Sequence, residues 1–124
     1  MYQIERRKTD RFIIPGAKVL YYTPNGSSNL VSLTDISINS IRFELTTDLK
    51  ILDMLDFELI IPSKEKILLK GNITGLMIND PEYPDSAVIQ FEPFGSDDRY
   101  NSIHSYNQLK ELIKEKQDLL VNGD

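Results

Sequence analysis

Cysteine is absent from the 124 residues, which excludes disulfide bridges, thiolate nucleophiles and cysteine-based zinc sites. Long apolar runs are missing too. Nothing approaches the ~18–20 consecutive apolar residues a spanning helix needs, so membrane insertion is not expected. The leading Met1-Tyr2-Gln3-Ile4-Glu5-Arg6-Arg7 is basic and lacks the apolar stretch of a signal peptide, making the cytoplasm the expected compartment. The asparagines in Asn25-Gly26-Ser27 and Asn72-Ile73-Thr74 are then chance sequon matches. Histidine occurs once, at His104, without a partner at a catalytic or metal-ligating spacing, and reads as a surface or packing residue. Gly71 and Gly75 do not form a phosphate-cradling loop. Asp53, Asp56 and Glu58 alternate with apolar residues and read as solvent-facing, not as a metal cage. With no nucleophile–base pair and no metal set, neither an enzyme nor a cofactor is expected.

Positive charge is also scarce, but it is concentrated. Fourteen Lys and Arg face 19 Asp and Glu, for a net charge of −5. DNA or RNA as a partner is disfavoured, because binding a polyanion depends on many cations neutralising phosphates. Yet Arg6, Arg7, Lys8 and Arg11 fall within six residues, with Asp10 among them and Glu5 just outside. One basic arm on an acidic chain points to a small anionic ligand.

The apolar share of 40% supplies a core for one compact domain. Residues 1–16 read as a flexible arm ending at the turn dipeptide Pro15-Gly16. Residues 17–95 carry six strand-like runs: Val19–Tyr22, Leu30–Ser37, Ile41–Leu45, Leu55–Ile61, Ile67–Ile78 and Ala87–Phe91. Thr23–Asn29 and Asn79–Asp85 read as loops, and Asp48–Met54 as a turn or short helix. Alternation puts Ile41, Phe43 and Leu45 on the core side, and Tyr21, Tyr22, Phe57 and Phe91 read as barrel aromatics. Six such strands must close or pack to hide their apolar faces, which predicts a mainly β fold, an antiparallel barrel or sandwich. Over residues 96–124 the period changes. Ile103, Tyr106, Leu109, Ile113 and Leu120 share a helical stripe flanked by Leu112 and Leu119. Asp97 and Asp98 are placed to start that helix and Gly123 to stop it.

Two short patterns carry recognisable chemistry. The first is Arg-x-x-x-Arg, at Arg7 and Arg11. A guanidinium grips phosphate oxygens in two places, stacks on a base, and donates to guanine O6 and N7. The second is Asp35-Ile36-Ser37-Ile38-Asn39-Ser40. In an extended strand Asp35 and Ser37 share a face, and an ionised Asp accepts from guanine's N1–H and N2–H edge while a serine hydroxyl donates to oxygen. Taken singly, the first reads as a solvated basic tail and the second as an Asx or ST turn.

Taken together, the pair resembles PilZ domains, in which Arg-x-x-x-Arg precedes Asp/Asn-x-Ser-x-x-Gly by some two dozen residues. The arm before the first strand, the alternating Ile41–Leu45 strand after Asp-x-Ser, the Ala87–Phe91 strand and the terminal helix extend the resemblance along the chain. It implies a six-stranded antiparallel β-barrel with a C-terminal α-helix that binds cyclic di-GMP. Arg7 and Arg11 match the motif arginines, Arg6 is the adjacent cation, Asp35 would take a guanine edge, and Ser37 would help hold the ligand. Serine replaces the family's glycine at Ser40, where a left-handed backbone would cost roughly 1–2 kcal/mol and weaken binding if the strain arises on binding, and where the side chain would either crowd the ligand or donate to it. The implied partners are cyclic di-GMP and an unidentified effector protein, for a chain acting as monomer or homodimer. The competing reading is a degenerate PilZ-like interaction module without nucleotide.

Overall fold

A computed structural model of the protein describes residues 11–95 and 99–122, with side chains through residue 119. Six strands, β1 (Lys18–Tyr22), β2 (Ser28–Ile36), β3 (Ser40–Glu44), β4 (Met54–Ile60), β5 (Ile67–Met77) and β6 (Ser86–Phe91), precede one helix, α1 (Ile103–Asn122). Every pairing is antiparallel, and the sheet closes in the order β1-β2-β3-β6-β5-β4. Closure leaves the barrel without a free edge. No helix among the described residues is long and apolar enough to cross a membrane.

Alternation builds the interior. Val19 and Tyr21 of β1, Ile41 and Phe43 of β3, Phe57 and Leu59 of β4, and Ile89 of β6 are fully buried, because a period of two sends every other side chain inward. Tyr21 and Phe43 meet ring to ring at 5.1 Å, and the Tyr21 hydroxyl lies 2.6 Å from Thr47 Oγ1, which satisfies its polar end. Gly71 permits the β5–β6 contact, since a Cβ there would sit 2.2 Å from the Gln90 carbonyl oxygen.

Four expectations are corrected. The arm predicted to run free to Gly16 is held to the barrel from Phe12 onward. Phe12 N donates to Ile36 O at 2.8 Å and Ile36 N to Phe12 O at 2.9 Å, while Phe12 and Ile14 are buried in the core. The apolar Phe12-Ile13-Ile14 run explains the docking, because two of its three side chains gain burial. Secondly, α1 starts at Ile103, capped by Ser102, whose Oγ accepts from Ser105 N at 3.0 Å; Asp97 and Asp98 lie outside the described residues, as does Gly123.

Thirdly, the buried helix face is Ser105, Leu109, Leu112 and Ile113, with Ile103 and Leu119 exposed. Just before the helix Asn101 is hydrogen-bonded to Leu68 and Lys70 of β5, an anchor that information local to the helix does not contain. Phe57, Phe91, Phe94 and Tyr106 form a chain of ring contacts from barrel to helix.

Fourthly, Glu58 is buried instead of solvent-facing. Its carboxylate accepts from the Tyr22 hydroxyl at 3.0 Å and pairs with Lys66 Nζ at 3.0 Å. These partners cover a side chain that points away from the core. Burial pushes the Glu58 carboxyl up, but the hydrogen bonds from Lys66 and Tyr22 and the positive charges of Lys66 and Arg99 together outweigh it and hold the group below the ordinary value of 4.5. Tyr22 and Lys66 are both raised, first by their hydrogen bonds to Glu58. A carboxyl depressed on folding contributes stability that is complete above its unfolded pKa and is lost as pH falls through the folded value. Urea unfolding across roughly pH 3 to 6 should therefore show an acid decline that Glu58→Gln makes shallower. Equal slopes would mean that the group contributes nothing.

Candidate ligand-binding site

The candidate site begins with a register. Phe12 pairs with Ile36 in an antiparallel bridge, which brings Arg11 alongside the turn that follows β2. A second irregularity aims the acceptor. Leu33 pairs with Phe43 and Asp35 with Arg42, so Thr34 is an extra residue bulged out of β2. Strict alternation from the buried Val31 and Leu33 would send Asp35 inward. The bulge turns it outward while Ile36 remains fully buried.

The Arg11 guanidinium meets three side chains. Its Nε donates to Asp35 Oδ1 at 2.7 Å, and Nη1 donates to Ser40 Oγ at 2.7 Å. Nη2 lies 2.6 Å from the same Asp35 oxygen, an ion-pair contact in which the well-directed hydrogen bond comes from Nε. Nη1 also lies 3.4 Å from Ser37 Oγ, at the weak limit of a hydrogen bond. On the other side of the carboxylate, Arg42 Nε is 3.9 Å from Asp35 Oδ2. Both members of the Arg11–Asp35 pair are mostly shielded, with side chains 20% and 22% exposed. Their attraction is therefore less screened than that of a fully exposed pair.

Ser37 is fully buried. Its hydroxyl accepts from Asn39 N at 3.2 Å and Ser40 N at 3.1 Å, bracing the turn between β2 and β3. The expected left-handed strain at Ser40 is absent. Ser40 is the first residue of β3, paired with Gln90, and among the described residues those with positive φ outside glycine are Leu52, Ser63, Asn79 and Asn101. The serine that replaces the expected glycine thus costs no backbone strain here and supplies an acceptor for Arg11. Of the predicted site residues, Arg11, Asp35, Ser37 and Ser40 come together; Arg6 and Arg7 lie outside the described residues.

Arg42 escaped the sequence reading because it belongs to neither motif; only the β2–β3 register places it beside Asp35. The same strands line a groove of about 390 Å³ whose boundary includes Asp35, Arg42, Glu44, Met77, Tyr83 and Pro84. A larger hollow of about 500 Å³, lined by Leu45–Leu49, Ile78 and Asp85, contains none of the motif residues. Its size alone does not connect it to the motif chemistry. Among the described residues no cluster of His, Cys, Asp and Glu is arranged to hold a metal ion.

A closed six-stranded antiparallel barrel with a C-terminal helix, carrying an arginine from its N-terminal segment against an Asp-x-Ser strand end, has the architecture of a PilZ domain, and the fold of this chain is PilZ-like. At the level of sequence no family model matches the chain, and no curated protein matches it. Solved structures do. The PilZ domain of YcgR from Escherichia coli with c-di-GMP is 14% identical at a TM-score of 0.67, covering 97% of this chain and 99% of that one. The Klebsiella pneumoniae MrkH–c-di-GMP complex is 15% identical at 0.72, over 98% of this chain and 56% of that one. The Bacillus subtilis inhibitor of motility MotI/DgrA is 15% identical at 0.68, over 94% and 54%. The chain thus spans about half the length of MrkH and MotI and nearly all of the isolated YcgR domain. At these identities the likeness is one of fold.

Proposed function

We propose that the chain is a cyclic di-GMP receptor in which Arg6, Arg7 and Arg11 meet the ligand from one side and Asp35 and Ser37 from the barrel side, with Ser40 at the edge of the site holding Arg11. The observation that carries this reading is the convergence of Arg11, Asp35 and Ser40 on one outer patch with the buried Ser37 beneath it, across 24 to 29 residues of sequence. A guanidinium, a carboxylate and hydroxyls supply complementary donors and acceptors for a guanine dinucleotide. Ligand binding orders the arm that precedes Arg11 against the patch. The surface so formed is read by a separate effector protein, by population shift. The size of that shift is limited by the ligand's differential affinity for the ordered state.

One observation favours a second reading, an interaction module that no longer takes nucleotide. Arg11 is already engaged by Asp35 and Ser40, so ligand must share or displace those bonds. Calorimetric titration separates the two. Cyclic di-GMP is expected to bind with micromolar or tighter affinity, while GTP and a short oligonucleotide do not. A flat cyclic di-GMP titration would leave the interaction module as the surviving account.

A further inference from the structure

We infer that the groove beside Asp35 is a base subsite: one guanine of the ligand enters it, stacks on Tyr83 and turns its donor edge toward the Glu44 carboxylate. This rests on the receptor reading and extends it to residues outside both motifs.

Three observations carry the inference. The groove is continuous with the candidate site, because Asp35 belongs to both: it lines the groove and holds Arg11. A dinucleotide whose phosphates meet the arm cations therefore has a base within reach of the hollow. At about 390 Å³, the groove falls within the ~300–1,000 Å³ of small-molecule clefts.

Its charge selects which part of the ligand enters. Among the described residues, Asp35, Glu44 and Asp85 line it against the single cation Arg42. This carboxylate excess repels a phosphate but accepts hydrogen bonds from N1–H and N2–H of guanine. Adenine lacks that pair of donors on the corresponding edge, so the lining discriminates between the two purines.

The wall is a presented aromatic. Tyr83 is 61% exposed, yet its loop is braced. Asp80 Oδ1 accepts from Glu82 N at 2.7 Å and Tyr83 N at 3.2 Å, Asp85 Oδ1 accepts from Asn79 N at 3.0 Å, and Leu45 N donates to Asp85 O at 3.0 Å. A ring held at the surface, beside Pro84 and Met77, is a platform for a planar base.

The test is calorimetry on the full chain with cyclic di-GMP and cyclic di-AMP. Tyr83→Ala should weaken cyclic di-GMP binding about tenfold, in the range of one lost base–aromatic stack. Tyr83→Phe, which keeps the ring, should stay within about twofold. Glu44→Gln should narrow the preference over cyclic di-AMP. Thermal unfolding of all three variants should match the wild type, since the substituted side chains lie at the surface. Wild-type affinity in Tyr83→Ala, with the parent chain binding normally, would overturn the base subsite and leave the receptor standing. No binding by the parent chain would overturn both.

Discussion

Arg11→Ala is expected to abolish most cyclic di-GMP binding, the largest functional effect of any single substitution in the patch. The guanidinium donates to Asp35 and Ser40 in two directions, each at 2.7 Å, a fork that no other residue type supplies. Charge-assisted bonds of this kind contribute about 1.5–3 kcal/mol each, and about 1.4 kcal/mol is tenfold in affinity. Losing one such bond to the ligand therefore costs at least about tenfold, and losing two costs a hundredfold or more. Arg11→Lys should recover little, because a single ammonium on a flexible stem does not reproduce the fork.

The companion variant Ser40→Gly should hold or raise affinity. Ser40 needs no left-handed backbone, and deleting its hydroxyl frees Nη1 for the ligand. Wild-type affinity in Arg11→Ala would reject the site. A large fall in Ser40→Gly would mean that the serine contacts ligand directly.

The largest stability effect is expected at Asn101, a residue outside the binding patch. It is fully buried with φ of 55°, a left-handed conformation that asparagine tolerates better than most residues. Its Oδ1 accepts from Lys70 N at 2.8 Å, and its Nδ2 donates to Lys70 O at 2.9 Å and Glu92 O at 2.7 Å. Its backbone N donates to Leu68 O at 3.0 Å, and its carbonyl accepts from Gly95 N at 2.8 Å. One side chain thus ties the β5 backbone to the segment between β6 and α1.

Asn101→Ala removes the side-chain bonds to Lys70 N, Lys70 O and Glu92 O, while Lys70 O keeps its bond from Glu92 N. Three lost side-chain hydrogen bonds at about 0.5–1.5 kcal/mol each, with about 1–2 kcal/mol of left-handed strain on alanine, predict a loss of about 2.5–6.5 kcal/mol. That is a large part of the ~5–15 kcal/mol that keeps a domain folded. Asn101→Gly should recover only the strain component. Urea unfolding measures both, and a midpoint for Asn101→Ala within error of the wild type would refute the bracing role.

The fold class was legible because its determinants are local. The alternation in Ile41–Leu45 and the turn residues of Thr23–Asn29 mark strands and a loop without reference to the rest of the chain. The strands follow closely, with ends differing from those expected by at most two residues. Glu58 was misread for the complementary reason. Alternation says which way a side chain points but not what covers it, and Tyr22 and Lys66 lie 36 residues upstream and 8 downstream. Tyr83 gave no signal at all, because a loop tyrosine becomes a platform only when two strands place a groove beneath it.

What the sequence by itself determined is the inventory: a β chain with one helix, a cationic N-terminal segment, and an Asp-x-Ser strand end. Those are properties of neighbouring residues and their intrinsic preferences. What only the tertiary structure decided is their juxtaposition. The Phe12–Ile36 bridge sets Arg11 beside the turn, the bulge at Thr34 turns Asp35 outward, and Ser40 enters β3 in a conformation that needs no glycine. The physical reason is that register and bulge position are selected by side-chain burial summed over strands distant in the chain, a quantity that no local window contains.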